Sequence, residues 1–257
     1  MNFLRTPKAL VLLGMVALVA GVSGTVCAQS TPIIPVETLF RKTEYRSPTF
    51  SPDQKFMAAL VPVNSRFNLV VIDLEKRNAN RVTNFDKADV LDFSWASNER
   101  LLFTTGDEQQ FVANAGDGGL FAVDRDGRNA RVLIPPFTEK QGQYVLRQTS
   151  FRGRIKGEKD EVLVESNDRS SDTLDIYRMN IFNGRKKLIT FDSPGLVSRW
   201  VLDGDRVPRA LLRQDPLTRI TEFMYRSGEG QPYKTLRQWG FDVKDVVIPI
   251  GFDKNKR

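Results

Sequence analysis

The sequence contains no histidine, and it lacks the G-x-S-x-G motif that presents a nucleophilic serine on a sharp strand-to-helix turn. The nearest approach, Ser227-Gly228-Glu229-Gly230, has no central serine and falls in a predicted hairpin turn. A Ser-His-Asp relay cannot be assembled without histidine. We therefore predict no catalytic residues in this chain and expect it to be inactive by itself.

Cysteine is almost absent as well. Cys27 is the only one, and it lies in the N-terminal segment, so the rest of the chain has neither a thiol nor a disulfide. Without cysteine and histidine, zinc and copper sites are not expected. Asp124-Arg125-Asp126-Gly127 resembles the start of a calcium loop, but the other ligands and the closing glutamate are missing. Asp-Gly between two strands is ordinarily a hairpin turn, and no glycine-rich phosphate loop follows any strand. We predict no metal and no cofactor.

Two sets of charged residues are candidates for a functional site. Four carboxylates fall near one predicted loop, which runs from Asn167 to Thr173: Glu165, Asp168, Asp172 and Asp175. A catalytic carboxylate pair needs a defined separation and a cleft, so we interpret these as solvated loop charges. The formal net charge is +7 and is spread along the chain, for example at 152–159 and 185–187. Without a clustered stripe or motif, no nucleic-acid partner is expected.

The one long apolar run is at the N-terminus and reads as a secretory signal over residues 1–28. Arg5 and Lys8 form the positive region, Ala9 to Val22 the apolar region, and Val26-Cys27-Ala28 precedes the predicted cut. We expect a periplasmic or secreted protein with no stable membrane insertion after cleavage; an uncleaved anchor is the alternative. Residues 29–46 lead into the first repeat, with one helical turn predicted at Val36 to Arg41.

The stretch from Thr49 to Phe85 is a repeating unit. It reads as a turn, an apolar strand at Phe56–Val61, a second strand, a polar hairpin turn and a further strand. The hairpin recurs at Gly119–Phe137, Asp175–Phe191 and Glu222–Trp239, each preceded by a short apolar strand: Arg100–Thr104, Glu161–Glu165 and Ala210–Arg213.

Equivalent points of the repeats, Asp73, Asp124, Asn180 and Ser227, are about 50 residues apart, a period typical of β-propeller blades. We predict an all-β fold with four-stranded antiparallel blades at about 47–90, 91–148, 149–192 and 193–240; a β-sandwich is the alternative. We also predict equivalent core positions between blades for one aromatic residue of each: Phe50, Phe93, Phe151 and Trp200.

The tail, Phe241 to Arg257, resembles the first turn of the first unit, so residues 241–257 are interpreted as the start of a fifth blade. A propeller must close into a ring. We expect an incomplete, open ring of about four blades in a truncated chain, whose uncovered blade faces promote self-association.

A family resemblance follows from IPVETLF (34–40), SPDQK (51–55), NLVVIDLEKRNANRVTNF (68–85), DVLDFSWASNERLLF (89–103) and GGLFAVDRDG (118–127). This series resembles the amino-terminal propeller of bacterial exported serine peptidases of the prolyl oligopeptidase family, in the acylaminoacyl-peptidase and dipeptidyl-aminopeptidase branch, over roughly residues 33 to 257. The resemblance implies a non-catalytic propeller that gates peptide substrates to a carboxy-terminal α/β-hydrolase domain, which is missing here. SPDQK-type turns also occur in TolB-like periplasmic propellers, so a free-standing protein-binding propeller is the alternative. An enzyme with a site inside a propeller channel is the third hypothesis, disfavoured by the lack of histidine.

Overall fold

Four antiparallel sheets make up the chain in the computed structural model, which describes residues 45–108, 119–135, 148–244 and 246–253. These residues contain no helix, and none of their segments is a helix long and apolar enough to cross a membrane. Sheet 1 contains β1 (Arg46–Phe50), β2 (Phe56–Val63), β3 (Arg66–Asp73) and β4 (Asn78–Arg81). Sheet 2 contains β5 (Asp89–Trp95), β6 (Arg100–Gly106), β7 (Leu120–Asp124) and β8 (Arg131–Ile134). Sheet 3 contains β9 (Thr149–Arg154), β10 (Glu161–Ser170), β11 (Thr173–Asn180) and β12 (Lys186–Leu188). Sheet 4 contains β13 (Val197–Leu202), β14 (Pro208–Gln214), β15 (Thr221–Tyr225) and β16 (Lys234–Trp239).

Each sheet is a meander in which consecutive strands are neighbours, the arrangement of a propeller blade. The sheets do not close into a ring within the described part of the chain. The predicted fold class is therefore confirmed. The helical turn predicted at Val36 to Arg41 lies outside the described residues.

Local polar side chains set the turns. In the first turn, Ser51 Oγ donates to Asp53 Oδ1 at 2.6 Å and accepts from the Phe56 N–H at 3.0 Å. At the hairpins, Asp73 Oδ1 accepts from the N–H groups of Glu75 and Lys76. Asn180 Oδ1 caps the equivalent turn of sheet 3 in the same way. Short polar side chains that bond nearby backbone are typical of such turns, which is why the repeats were visible in the sequence.

The pairing of strands corrects the equivalent residue that was predicted for the fourth repeat. Asp73, Asp124 and Asn180 pair with Phe56, Arg100 and Glu161, near the start of the second strand of their sheets. In sheet 4 the residue that pairs at this position, opposite Ala210, is Tyr225. The predicted equivalent, Ser227, lies beyond the strand because the fourth hairpin is longer and its polar residues mislead the alignment.

Three hydrophobic clusters separate consecutive sheets. The first joins sheets 1 and 2 through residues such as Leu60, Leu69 and Leu101. The second joins sheets 2 and 3, and the third joins sheets 3 and 4 around Trp200 and Leu211. Side chains alternate between the two faces of a strand, so Leu102 and Leu163 face the following sheet while their neighbours face the preceding one. This two-sided burial explains why the second strands read as continuous apolar runs.

The predicted packing between sheets holds for three of the aromatic residues and is wrong for Phe50. Phe93 lies in the first cluster, Phe151 packs against the second, and Trp200 lies in the third. Phe50 is 60% exposed. Phe50 pairs with Met57 and Trp200 with Leu211, each one residue beyond the equivalent points Phe56 and Ala210, on the face that points to the preceding sheet. Phe93 and Phe151 pair two residues further on, with Phe103 and Val164, so the prediction of equivalent positions is wrong for Trp200 relative to these two, although all three pack between sheets. No preceding sheet covers sheet 1 among the described residues, which leaves Phe50 open to solvent.

Hydrogen bonds between sheets, unlike apolar contacts, hold particular residues of neighbouring sheets opposite one another. Trp95 Nε1 donates to the Thr49 carbonyl at 3.2 Å, joining β5 to β1. Arg100 is buried and donates through Nε to the Ile181 carbonyl at 2.9 Å, joining sheet 2 to sheet 3, while its Nη1 pairs with Asp124. Removing one partner of such a buried pair leaves an uncompensated charge and costs about 3–5 kcal/mol. These contacts fix each sheet against the next.

The face of sheet 4 that points away from sheet 3 is covered in part by the tail. Pro249, Gly251 and Phe252 border a cavity of about 260 Å³ against Val201, Ala210, Phe223, Tyr225 and Leu236. The guanidinium of Arg209 lies 5.8 Å from the centre of the Phe252 ring. Ile248 and Ile250, on the other side of the tail, are exposed. The tail thus occupies the apolar face that a following sheet would occupy.

The Trp200 and Phe50 positions differ in burial and therefore in stability. We expect Trp200→Ala to lower the free energy of unfolding by about 3–5 kcal/mol, because a fully buried aromatic side chain leaves a cavity. Phe50→Ala should change it by about 0.5 kcal/mol or less, as is usual for exposed positions. Urea unfolding of both variants, followed by circular dichroism, measures the difference. Equal losses would contradict the assignment of the two faces.

Candidate functional site

The first strands of the four sheets, β1, β5, β9 and β13, each lie at one edge of their sheet, and together we call them the inner edge. Side-chain contacts join two pairs of them: Trp95 Nε1 on β5 donates to the Thr49 carbonyl on β1, and Arg152 Nη2 on β9 donates to the Trp200 carbonyl on β13 at 2.9 Å. The fourth strands lie at the opposite edges of their sheets. The sequence alone did not show which residues line this edge, because the radial position of a strand residue depends on the packing of the sheets.

Exposed side chains on the inner edge are polar or charged, apart from Phe50 and Pro48. Thr49 lies on β1, Asp92 on β5, Ser150 and Arg154 on β9, and Ser198 and Arg199 on β13. Each first strand is hydrogen-bonded within its sheet on one side only, to the second strand. The inner edge therefore offers both side-chain and backbone hydrogen-bonding groups to a ligand.

Glu165 and Arg152 form a clamp at this edge. Glu165 is 7% exposed, and its carboxylate lies 3.1 Å from Arg152 Nε. Arg152 also donates to the Trp200 carbonyl, so it joins Glu165 on β10 to the backbone of β13. Burial raises the pKa of the Glu165 carboxyl, and the charges of Arg152 and Arg199 oppose that shift.

The four carboxylates that the sequence placed near one loop do not form a common site. Glu165 pairs with Arg152, Asp168 with Lys186, and Asp175 with Arg169 and with the Thr190 hydroxyl. Asp172 accepts from the Ser170 hydroxyl. The interpretation as solvated loop charges is wrong for Glu165 and for Asp175, which is fully buried. The predicted loop is a tight turn instead, since β10 runs to Ser170 and β11 begins at Thr173.

Other acidic residues also serve the fold. Asp89 is buried and accepts from Arg66 Nη1 at 2.8 Å and from the Phe67 N–H at 2.7 Å, which ties sheet 1 to sheet 2. At the Asp124–Gly127 stretch, Gly127 has a positive φ of 85° and its N–H donates to the Asp124 carbonyl, so this is the hairpin turn that the sequence favoured. Within the described residues, no group of three or more potential ligands could hold a metal ion.

No family model and no curated protein matches this sequence. Solved structures similar to it include TolB from Acinetobacter baumannii, at 18% identity and a TM-score of 0.45 over 75% of this chain and 43% of that one. Acylaminoacyl peptidase from Pyrococcus horikoshii is 17% identical, with a TM-score of 0.43 over 76% of this chain and 32% of that one. The propeller domain of the Trilobed protease from Pyrococcus furiosus, described as having an open velcro topology, is 16% identical, with a TM-score of 0.45 over 75% and 56%.

These structures include both classes that the sequence resembled, the peptidase propellers and the TolB-like propellers. The similarity is one of fold. The chain spans 43% and 32% of the lengths of TolB and of the peptidase.

The Glu165 clamp should make stability depend on pH. A raised folded-state pKa means that Glu165 stabilises the fold below its unfolded pKa, and that this stability is lost as the pH rises through the folded pKa. We therefore expect the wild type to lose stability relative to Glu165→Gln between pH 4 and pH 7, since glutamine keeps the size of the side chain but does not ionise. Denaturant unfolding at both pH values measures this. Glu229→Gln, at an exposed hairpin, controls for the loss of a surface charge. The prediction would be contradicted if the free energy of unfolding of the wild type rose relative to that of Glu165→Gln between pH 4 and pH 7.

Proposed function

We propose that this chain is a non-catalytic propeller that binds peptides along its inner edge. In this proposal it acts as the propeller portion of a serine peptidase of the prolyl oligopeptidase family and gates peptide access to an α/β-hydrolase domain. The observation that carries the proposal is the inner edge itself, where four successive first strands each have one side outside the ladder of their own sheet. Extended peptides bind such edges through main-chain hydrogen bonds.

The chemistry of the inner edge supports a peptide ligand. Thr49, Ser150 and Ser198 carry hydroxyl groups that can donate or accept, and Phe50 adds an exposed aromatic ring. The buried carboxylates are paired within the fold, and the sequence has no histidine to activate a nucleophile. Binding without turnover is the activity that follows. The resemblance at residues 34–40, 51–55 and 68–127 supports the peptidase family as the setting.

The same proposal places the chain outside the cytoplasm. The basic, apolar and small-residue regions of residues 1–28 support export with cleavage after Ala28.

Peptide binding is tested with the full chain and N-acetylated fluorescent pentapeptides, by fluorescence anisotropy and by mass spectrometry of the recovered peptide. We expect saturable binding, no cleavage and no labelling by a fluorophosphonate. Ser150→Trp, on β9, should weaken binding because the indole covers the inner edge, whereas Asn80→Trp, on the exposed strand β4, should not. Cleavage of the peptide, or equal effects of the two variants, would refute the proposal. If the chain does not bind the peptides but binds a folded protein, the TolB-like alternative is favoured.

Export is tested by expressing the full chain in a Gram-negative host. The molecular mass of the protein released by osmotic shock is then measured by mass spectrometry. We expect a mature chain that begins at Gln29. Ala28→Phe should block the cut, because the residue before the cleavage site must be small. Retention of residues 1–28 by the wild-type chain would contradict the proposed cleavage.

A further inference from the structure

Four arginine side chains lie at the inner edge of sheets 3 and 4: Arg152 and Arg154 on β9, Arg199 on β13, and Arg206 in the turn between β13 and β14. We infer that this guanidinium cluster is a subsite for a carboxylate group of the bound peptide. The inference rests on the proposed peptide-binding function and names the class of peptide that the inner edge prefers.

The backbone of β9 brings these groups together. The register shifts by one residue where Val164 pairs with Phe151 and Leu163 with Gly153, so Arg152 is the extra residue of a bulge. Bulges commonly redirect a side chain at a functional position. A second shift in β13, between Val197 and Arg199, places Ser198 in the same role there. The first strands of sheets 3 and 4 are therefore both irregular beside the arginines of this cluster.

Gly153 makes room for Arg206. A Cβ atom built on Gly153 would lie 3.0 Å from Arg206 Cζ and 3.2 Å from its Nη1. The guanidinium of Arg206 therefore lies directly against the β9 backbone, between Arg152 and Arg154 in sequence. Any larger residue at position 153 would displace it. Arg206 reaches this place from sheet 4, so the cluster forms only where the two sheets meet.

The cluster has more positive charge than nearby negative charge. Glu165 pairs with Arg152 and lies within the field of Arg199. Asp203 is committed to Arg209 and to backbone N–H groups, and Asp205 has a partner as well. No carboxylate among the described residues lies within 4 Å of the guanidinium groups of Arg154, Arg199 and Arg206. Glu165 thus interacts with Arg152 and Arg199, and no acidic partner is present for Arg154 or Arg206 among the described residues.

Arginines elsewhere in the described chain behave differently. Several of them have a carboxylate partner within 3.1 Å: Arg66, Arg100, Arg178, Arg209 and Arg226. Convergence of unpaired guanidinium groups costs free energy, which an anion would recover. The planar fork of arginine fits a carboxylate through two parallel N–H···O bonds, and such charge-assisted bonds are the stronger ones. A peptide carboxylate is the anion that a peptide-binding edge would meet.

The subsite is tested with two pairs of fluorescent, N-acetylated peptides of equal length. The first pair has a free or an amidated C-terminus, and the second, amidated pair has glutamate or glutamine at the third position. We expect the carboxylate member of at least one pair to bind about tenfold more tightly to the full chain in low salt, as one charge-assisted contact would give. The pair that responds identifies the source of the carboxylate.

Variants separate this subsite from the overall positive charge. Arg154→Gln and Arg206→Gln should each reduce the carboxylate preference, measured as the ratio of the affinities of the two members of a pair, by about threefold or more. Arg81→Gln and Arg131→Gln, on the exposed fourth strands of sheets 1 and 2, should leave the preference intact. Equal binding of both members of each pair would overturn the subsite and leave the peptide-binding proposal standing. Equal effects of all four variants would also overturn it, and absence of binding by any peptide would refute both proposals.

Discussion

The need to cover two apolar faces of every sheet governs this structure. Each second strand carries apolar side chains on both sides, and burial of each such side chain is worth about 1.5–3 kcal/mol. A single four-stranded sheet cannot bury both of its faces, so each stacks on the next through one hydrophobic cluster. The same requirement explains the two ends of the series. Phe50 is exposed where no described sheet precedes it, and Phe252 packs on Tyr225 and Arg209 where the tail covers the last face.

Charged groups take two different places in this stack. Between sheets, arginines such as Arg100 and Arg226 are buried with a carboxylate and a backbone carbonyl, so their charge is satisfied within the protein. At the inner edge of sheets 3 and 4, the guanidinium groups of Arg154 and Arg206 face solvent without an acidic partner. The buried arginines align neighbouring sheets. The exposed arginines at the inner edge make no ion pair that would stabilise the fold, and for this reason we assign them to ligand binding.

The sequence predicted the features that depend on local chemistry. Ser51 and Asp73 bond to backbone groups within a few residues, so the turns and the strands between them could be identified by inspection. Features that depend on residues distant in the sequence could not be identified in this way. The burial of Asp175 follows from its bonds to Arg169 and Thr190, and Phe50 is exposed because no described sheet lies against its face. The Ser227 alignment failed for a related reason: polar residues in a long hairpin imitate a turn that strand pairing places two residues earlier, after Tyr225.

The inner edge was the least predictable part, and the reason lies in its geometry. Arg152 and Arg154 read as ordinary basic residues in a charged stretch, because the bulge that redirects Arg152 is set by pairing with β10, which has no signature in β9 itself. Gly153 could be noticed in the sequence, but its neighbour Arg206 is 53 residues away and comes from another sheet. A site assembled from the edges of several sheets has no contiguous motif. In such folds, the most informative sequence signal for a binding residue is a glycine or a charge inside a strand whose local role is not obvious, and its meaning emerges only from the packing of the sheets.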